Sequence, residues 1–118
     1  MSEIKSINRI LVETLEGATG LPVAEEFHGD GAEEYIAYQI QDDRGVVFGD
    51  GEPLHEVYIV TVHLFVKRST NYLRLKRAIR QALLEADFTW PSVTVLDDGD
   101  SRHIIFETEM SNDYDIDE

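Results

Sequence analysis

The chain has 118 residues, a net charge of −14 and no cysteine. That length suits one domain with a real core. The absence of cysteine excludes disulfides and thiolate metal sites. The longest apolar runs fall well short of the ~20 residues a membrane helix needs, and the N-terminal MSEIKSINRI is a polar helix start, not a signal peptide. The expectation is a soluble, cytoplasmic domain that an acidic surface keeps off nucleic acids and anionic membranes.

In chain order, residues 3–16 predict a helix, with Ile4, Ile7, Leu11 and Leu15 at helical spacing and Gly17 as its stop. Thr19-Gly20-Leu21-Pro22-Val23 predicts a turn and a short extended piece. Residues 35–41 alternate, with Ile36, Tyr38 and Ile40 on one face, as in a strand. Residues 42–54, DDRGVVFGDGEPL, predict a long connection carrying apolar Val46, Val47 and Phe48. Residues 55–67, HEVYIVTVHLFVK, give the strongest strand signal. Tyr58, Val60, Val62, Leu64 and Val66 line one face, and Val57, Ile59, Thr61, His63 and Phe65 the other. A strand apolar on both faces is central between two layers, or covered by another molecule on its second face.

Residues 70–86 predict a second helix capped by Ser69 or Thr70, with Leu75, Ile79, Ala82, Leu83 and Ala86 as its apolar stripe. Val93 and Val95 lie in a strand, Asp97-Asp98-Gly99-Asp100 is a turn signal, and 102–110 returns as a strand. The last eight residues, SNDYDIDE, hold four acids and read as a flexible tail. The expected fold is α+β in helix-strand-strand-helix-hairpin order: a mixed or antiparallel sheet of about four strands, two helices on one face. One domain would span 1–110 and the acidic tail 111–118.

Charge is segregated along the chain. Residues 1–66 carry 3 cations and 13 acids; residues 67–80 carry six cations (Lys67, Arg68, Arg74, Lys76, Arg77 and Arg80) and no acid; residues 81–118 carry Arg102 against 11 acids. The plainest explanation of 67–80 is a solvated helix face. The alternative is a head-to-tail contact, in which this basic segment meets the acidic surface of a second copy. Such a contact needs apolar anchors, and Val47, Phe48, Ile59 and Phe65 are the candidates beside Arg74, Arg77 and Arg80.

Signals for chemistry are weak. His28, His55, His63 and His103 fit no metal-ligand spacing. The acids at 97–100 lack the EF-hand pattern, as does Gly49-Asp50-Gly51-Glu52. No phosphate loop or nucleophile elbow is present. The reading is a non-enzyme with no cofactor and no metal.

The landmarks in order are an N-terminal helix into Thr19-Gly20-Leu21-Pro22-Val23, Tyr35-Ile36-Ala37-Tyr38, a polar segment with Asp50-Gly51, and a long strand ending Val62-His63-Leu64-Phe65-Val66-Lys67. A helix ending Leu84-Glu85-Ala86-Asp87-Phe88 and a hairpin from Asp98-Gly99-Asp100 through His103-Ile104-Ile105-Phe106-Glu107 complete them. In this the chain resembles the head–tail joining and tail terminator proteins of long-tailed phages and prophages. The resemblance implies a ring, commonly hexameric, between tail tube and head connector. Its partners would be copies of itself, tail-tube protein and head-completion protein. Its location would be the virion tail, and the host cytoplasm during assembly. DNA would pass only through a lumen, whose acidity would keep it from binding. The competing reading is an acidic DNA mimic or protein-binding inhibitor, which the +6 segment disfavours.

Overall fold

A computed structural model describes residues 7–25, 33–48 and 52–113. In order these form α1 (Ile7–Thr19), β1 (Val23–Glu25), β2 (Tyr35–Phe48), β3 (Glu52–Lys67), α2 (Tyr72–Glu85), β4 (Ser92–Asp98) and β5 (Ser101–Asp113). The sheet has five strands in the order β1-β2-β3-β5-β4. β1 runs parallel to β2, and every other pair is antiparallel. The α+β class is as expected, with one strand more than the expected four. The addition is β1, which the sequence marks only as an extended piece.

Two further boundaries differ from expectation. Residues 42–48 and 52–54 are not a long loop but the continuation of β2 and β3. Pairing shifts between Asp42 and Arg44 and again between Val46 and Val47. The first leaves one extra residue, Asp43, in β2 and the second one extra, Leu54, in β3, so the two bulges cancel and the strands stay in register beyond them. Residues 111–113, assigned to the tail from sequence, extend β5 and pair with β3 as far as His55↔Asp113.

One face of the sheet makes the core. Ile36 and Tyr38 of β2, Val60, Val62, Leu64 and Val66 of β3, and Ile104 and Phe106 of β5 are buried there against Leu11 and Leu15 of α1 and Ile79 and Leu83 of α2. The 3.6 period of the helices and the 2.0 period of the strands each present one apolar row to this layer. Burying each such side chain stabilises the fold by about 1.5–3 kcal/mol. The Tyr38 hydroxyl reaches across the layer to donate to Asn8 Oδ1 of α1 at 2.9 Å. Burial, and then the charge of Glu25, raises the pKa of that phenol.

The helix ends are set by backbone chemistry. α1 passes through Gly17 and stops at Gly20, where φ is +73° and the N–H bonds Glu16 O at 2.8 Å. Thr19 closes that end, its hydroxyl donating to Leu15 O and accepting from Leu21 N–H. At the start of α2 the N-cap is Asn71, with no side-chain capping bond. Neither expected cap is used. The Thr70 hydroxyl donates instead to Glu34 Oε2, which also accepts from Lys67 N–H at 3.1 Å. α2 ends in a Schellman motif: Phe88 N–H bonds Leu83 O at 2.9 Å and Asp87 N–H bonds Leu84 O at 3.1 Å. Asp87 holds the left-handed position, φ 75°, that glycine normally fills.

The β4–β5 hairpin turns through Gly99-Asp100, with φ +80° at Gly99. A positive φ at the first central position alone is the II′ pattern. Arg68 ties this tip to the end of β3, donating to Asp97 Oδ1 at 2.5 Å and to Gly99 O at 2.7 Å.

Candidate protein interface

Both helices cover the same side of the sheet, so its other side has no layer over it among the described residues. Among the residues whose side chains are described, register places those of this open face in four rows. From one end these are Gln41–Ile59–Glu109, Gln39–Thr61–Glu107–Ser92, Ala37–His63–Ile105–Thr94 and Tyr35–Phe65–His103–Leu96. The last row is aromatic. Phe65 stacks on Tyr35 with ring centroids 4.8 Å apart and on His103 at 4.3 Å. His63 joins from the neighbouring row, its Nδ1 2.8 Å from His103 Nε2. That contact needs one ring to donate and the other to accept. Burial, and then the nearby His103, lowers the pKa of His63. The apolar edges of the face are open: Ile59 is 37% and Leu96 43% exposed. The rows nearer Ile59 carry Glu107 and Glu109, both exposed.

The second surface is the outer side of α2. At 100° per residue, Leu73, Arg77, Leu84, Gln81 and Arg74 share the side opposite the buried Ile79 and Leu83. Leu73 is 55% and Leu84 46% exposed. Arg80 flanks them and lies over the Trp90 ring at 5.0 Å, and Trp90 is itself 53% exposed. Arg80 Nε is buried without a hydrogen-bond partner. Lys67 and Arg68 spend their charge within the chain, on Glu33 at 3.4 Å and Asp97 at 2.5 Å. Among the described residues, Arg74, Lys76 and Arg77 have no ion-pair partner in the chain.

The seven residues singled out from sequence thus fall in three places. Ile59 and Phe65 stand on the open face, roughly 20 Å apart at ~3.3 Å per residue. Arg74, Arg77 and Arg80 lie on α2, across the core from that face. Val47 and Phe48 end β2, paired with Pro53 and Glu52, and their side chains lie outside the described residues. The sequence reasoning missed the His63–His103 pair, the exposed Trp90 beside Arg80, and the two glutamates of the open face. The parity of β5 held the signal for the glutamates; the histidine contact depends on strand register, which the sequence does not display.

Among the described residues no three His, Asp or Glu side chains gather as a metal site, and no helix is long and apolar enough to cross a membrane. Among the described residues two grooves lie beside the helices, one of them bordered by Thr19, Glu34, Thr70, Asn71 and Arg74. The other, between α1 and α2, is lined by Thr14, Gly17, Ala18, Ala82, Glu85 and Ala86.

Comparison with known proteins supports the fold. No family model matches the chain, and no curated protein matches it in sequence. One solved chain of no stated function superposes with a TM-score of 0.57 at 13% identity, over 92% of this chain and 90% of its own length. A chain from the virion of a native gene transfer agent particle superposes with a TM-score of 0.55 at 14% identity, over 85% of this chain and 84% of its own. At such identities the likeness is one of fold, and it extends along nearly the whole chain.

Proposed function

We propose that this protein is a non-catalytic structural subunit of a phage-like virion, a tail terminator or head–tail joining protein that closes into a ring of identical copies. The observation that carries this reading is the uncovered second face of the sheet. β3 is apolar on both sides, and among the described residues the chain supplies a layer for only one of them. The unneutralised cations of α2, on a molecule of net charge −14, supply a complementary partner for an acidic surface of the next copy. The shared fold with a gene transfer agent virion chain supports a virion role. In the proteins that the chain resembles, the ring is commonly hexameric and binds tail-tube and head-completion proteins.

Sedimentation velocity over a hundredfold range of concentration tests the proposal. A single closed species whose mass is a fixed multiple of 13.4 kDa is expected. It should loosen as salt rises, because exposed charges are screened beyond about 8 Å at physiological ionic strength. A monomer at every concentration, including in the presence of tail-tube protein, would contradict it.

A further inference from the structure

We infer that the contact between neighbouring copies is heterologous: the outer side of α2 in one copy seats on the open face of the sheet in the next. The inference rests on the self-assembly reading and adds which surfaces meet.

Charge is the first argument. The open face carries Glu107 and Glu109 in adjacent rows. Among the residues of this face whose side chains are described, Lys67 at the far end is held by Glu33, and His63 and His103 share a hydrogen bond. The described part of the face is therefore acidic at neutral pH. The outer side of α2 carries Arg74 and Arg77, flanked by Lys76 and Arg80; its single acid, Glu85, accepts from Gln81. Neither surface neutralises itself, and a single molecule cannot bring them together, because the core lies between them.

Apolar content and length also match. Leu73, Leu84 and Trp90 on one side face exposed Ile59 and Leu96 and half-buried Phe65 on the other, so each surface combines charge with apolar anchors. Leu73 to Leu84 spans about 17 Å of helix at 1.5 Å per residue. The row from Ile59 to Phe65 spans roughly 20 Å of strand. Trp and Arg are the residue types that most often anchor interfaces, and Arg80 with Trp90 sits at the edge of the helical surface. An isologous contact would oppose like charges in both cases: glutamates on glutamates, or arginines on arginines.

Two charge-reversed variants test this. One carries Arg74→Glu with Arg77→Glu, and the other Glu107→Lys with Glu109→Lys. Each has two surfaces of like sign, so neither should associate alone, with affinity down by more than about tenfold. Mixed one to one, the acidic helix of the first meets the basic sheet of the second, and the basic helix of the second meets the acidic sheet of the first. The mixture should therefore regain the wild-type sedimentation coefficient. All four positions are exposed, and circular dichroism checks the fold. If a reversed variant misfolds, the glutamine variants of the same positions serve, each expected to weaken association alone. Wild-type oligomers that survive both reversals, that respond to only one of them, or that the mixture fails to restore would overturn the inference and leave the self-assembly reading standing. A wild-type chain that never associates would overturn both.

Discussion

Asp87 occupies a backbone conformation that costs an L-residue about 1–2 kcal/mol, yet the Schellman bonds on either side of it, and the buried Phe88 that follows, hold it there. Asp87→Gly should raise stability by about 0.5–1 kcal/mol in urea denaturation, with no change in m-value. Thr108 is the buried polar residue of the core. Its hydroxyl donates to Thr89 O at 2.6 Å and contacts Thr89 Oγ1 at 2.9 Å, while Thr89 Oγ1 accepts from Glu109 N–H. Thr108→Val should cost about 1 kcal/mol, because it removes a hydroxyl whose hydrogen bonds to Thr89 are part-buried. His63 makes stability depend on pH. Its folded pKa lies below its ordinary 6.5, first through burial and then through His103. The unfolded chain therefore binds this proton more readily, and the contribution of the neutral ring is complete above 6.5 and fades as pH falls through the folded pKa. Around it lie Ala37, Ile105, Phe65 and His103, with Glu107 one row away. Thermal melts at pH 7 and pH 5 should show a smaller acid-induced loss in His63→Gln than in wild type; equal losses would remove His63 as the cause.

At the scale of elements, β3, α2 and the β4–β5 hairpin were legible because each satisfies one strong rule. Val60, Val62, Leu64 and Val66 alternate, Leu75, Ile79 and Leu83 recur at helical spacing, and Asp98-Gly99 sits between two alternating runs. The far ends of β2 and β3 were not legible. Gly45 and Pro53 look like chain breakers, but mutual pairing overrides local propensity there. Among the described residues Pro53 has a strand neighbour only on its β2 side, since β5 pairing begins at His55, and such edge positions tolerate proline. β1 is too short to show a period, and its parallel partner is set by tertiary structure. The caps failed for a related reason: Glu34, distant in sequence, takes the hydroxyl of Thr70. The candidate interface was half legible. Strand parity located Ile59 and Phe65, and composition located the basic helix, but only the sheet order shows that they lie on opposite layers.

For the whole molecule, charge and apolar exposure are distributed so that one copy presents on one side what another lacks on its opposite side. A monomer would leave Ile59, Leu96, Leu73, Leu84 and Trp90 against water, which is consistent with an interaction surface. The same arrangement explains how a strongly acidic chain could join to copies of itself despite its net repulsion. The absence of cysteine gives a direct probe of the open face, because Thr61→Cys on that side of β3 places a unique thiol between Ile59 and His63. The rate of its reaction with a maleimide, followed from dilute to assembled protein, should fall at least about tenfold on assembly. A control thiol at exposed Glu16 on α1 should react at a constant rate. Assembly that leaves the Thr61→Cys thiol as reactive as in the dilute protein would contradict the account.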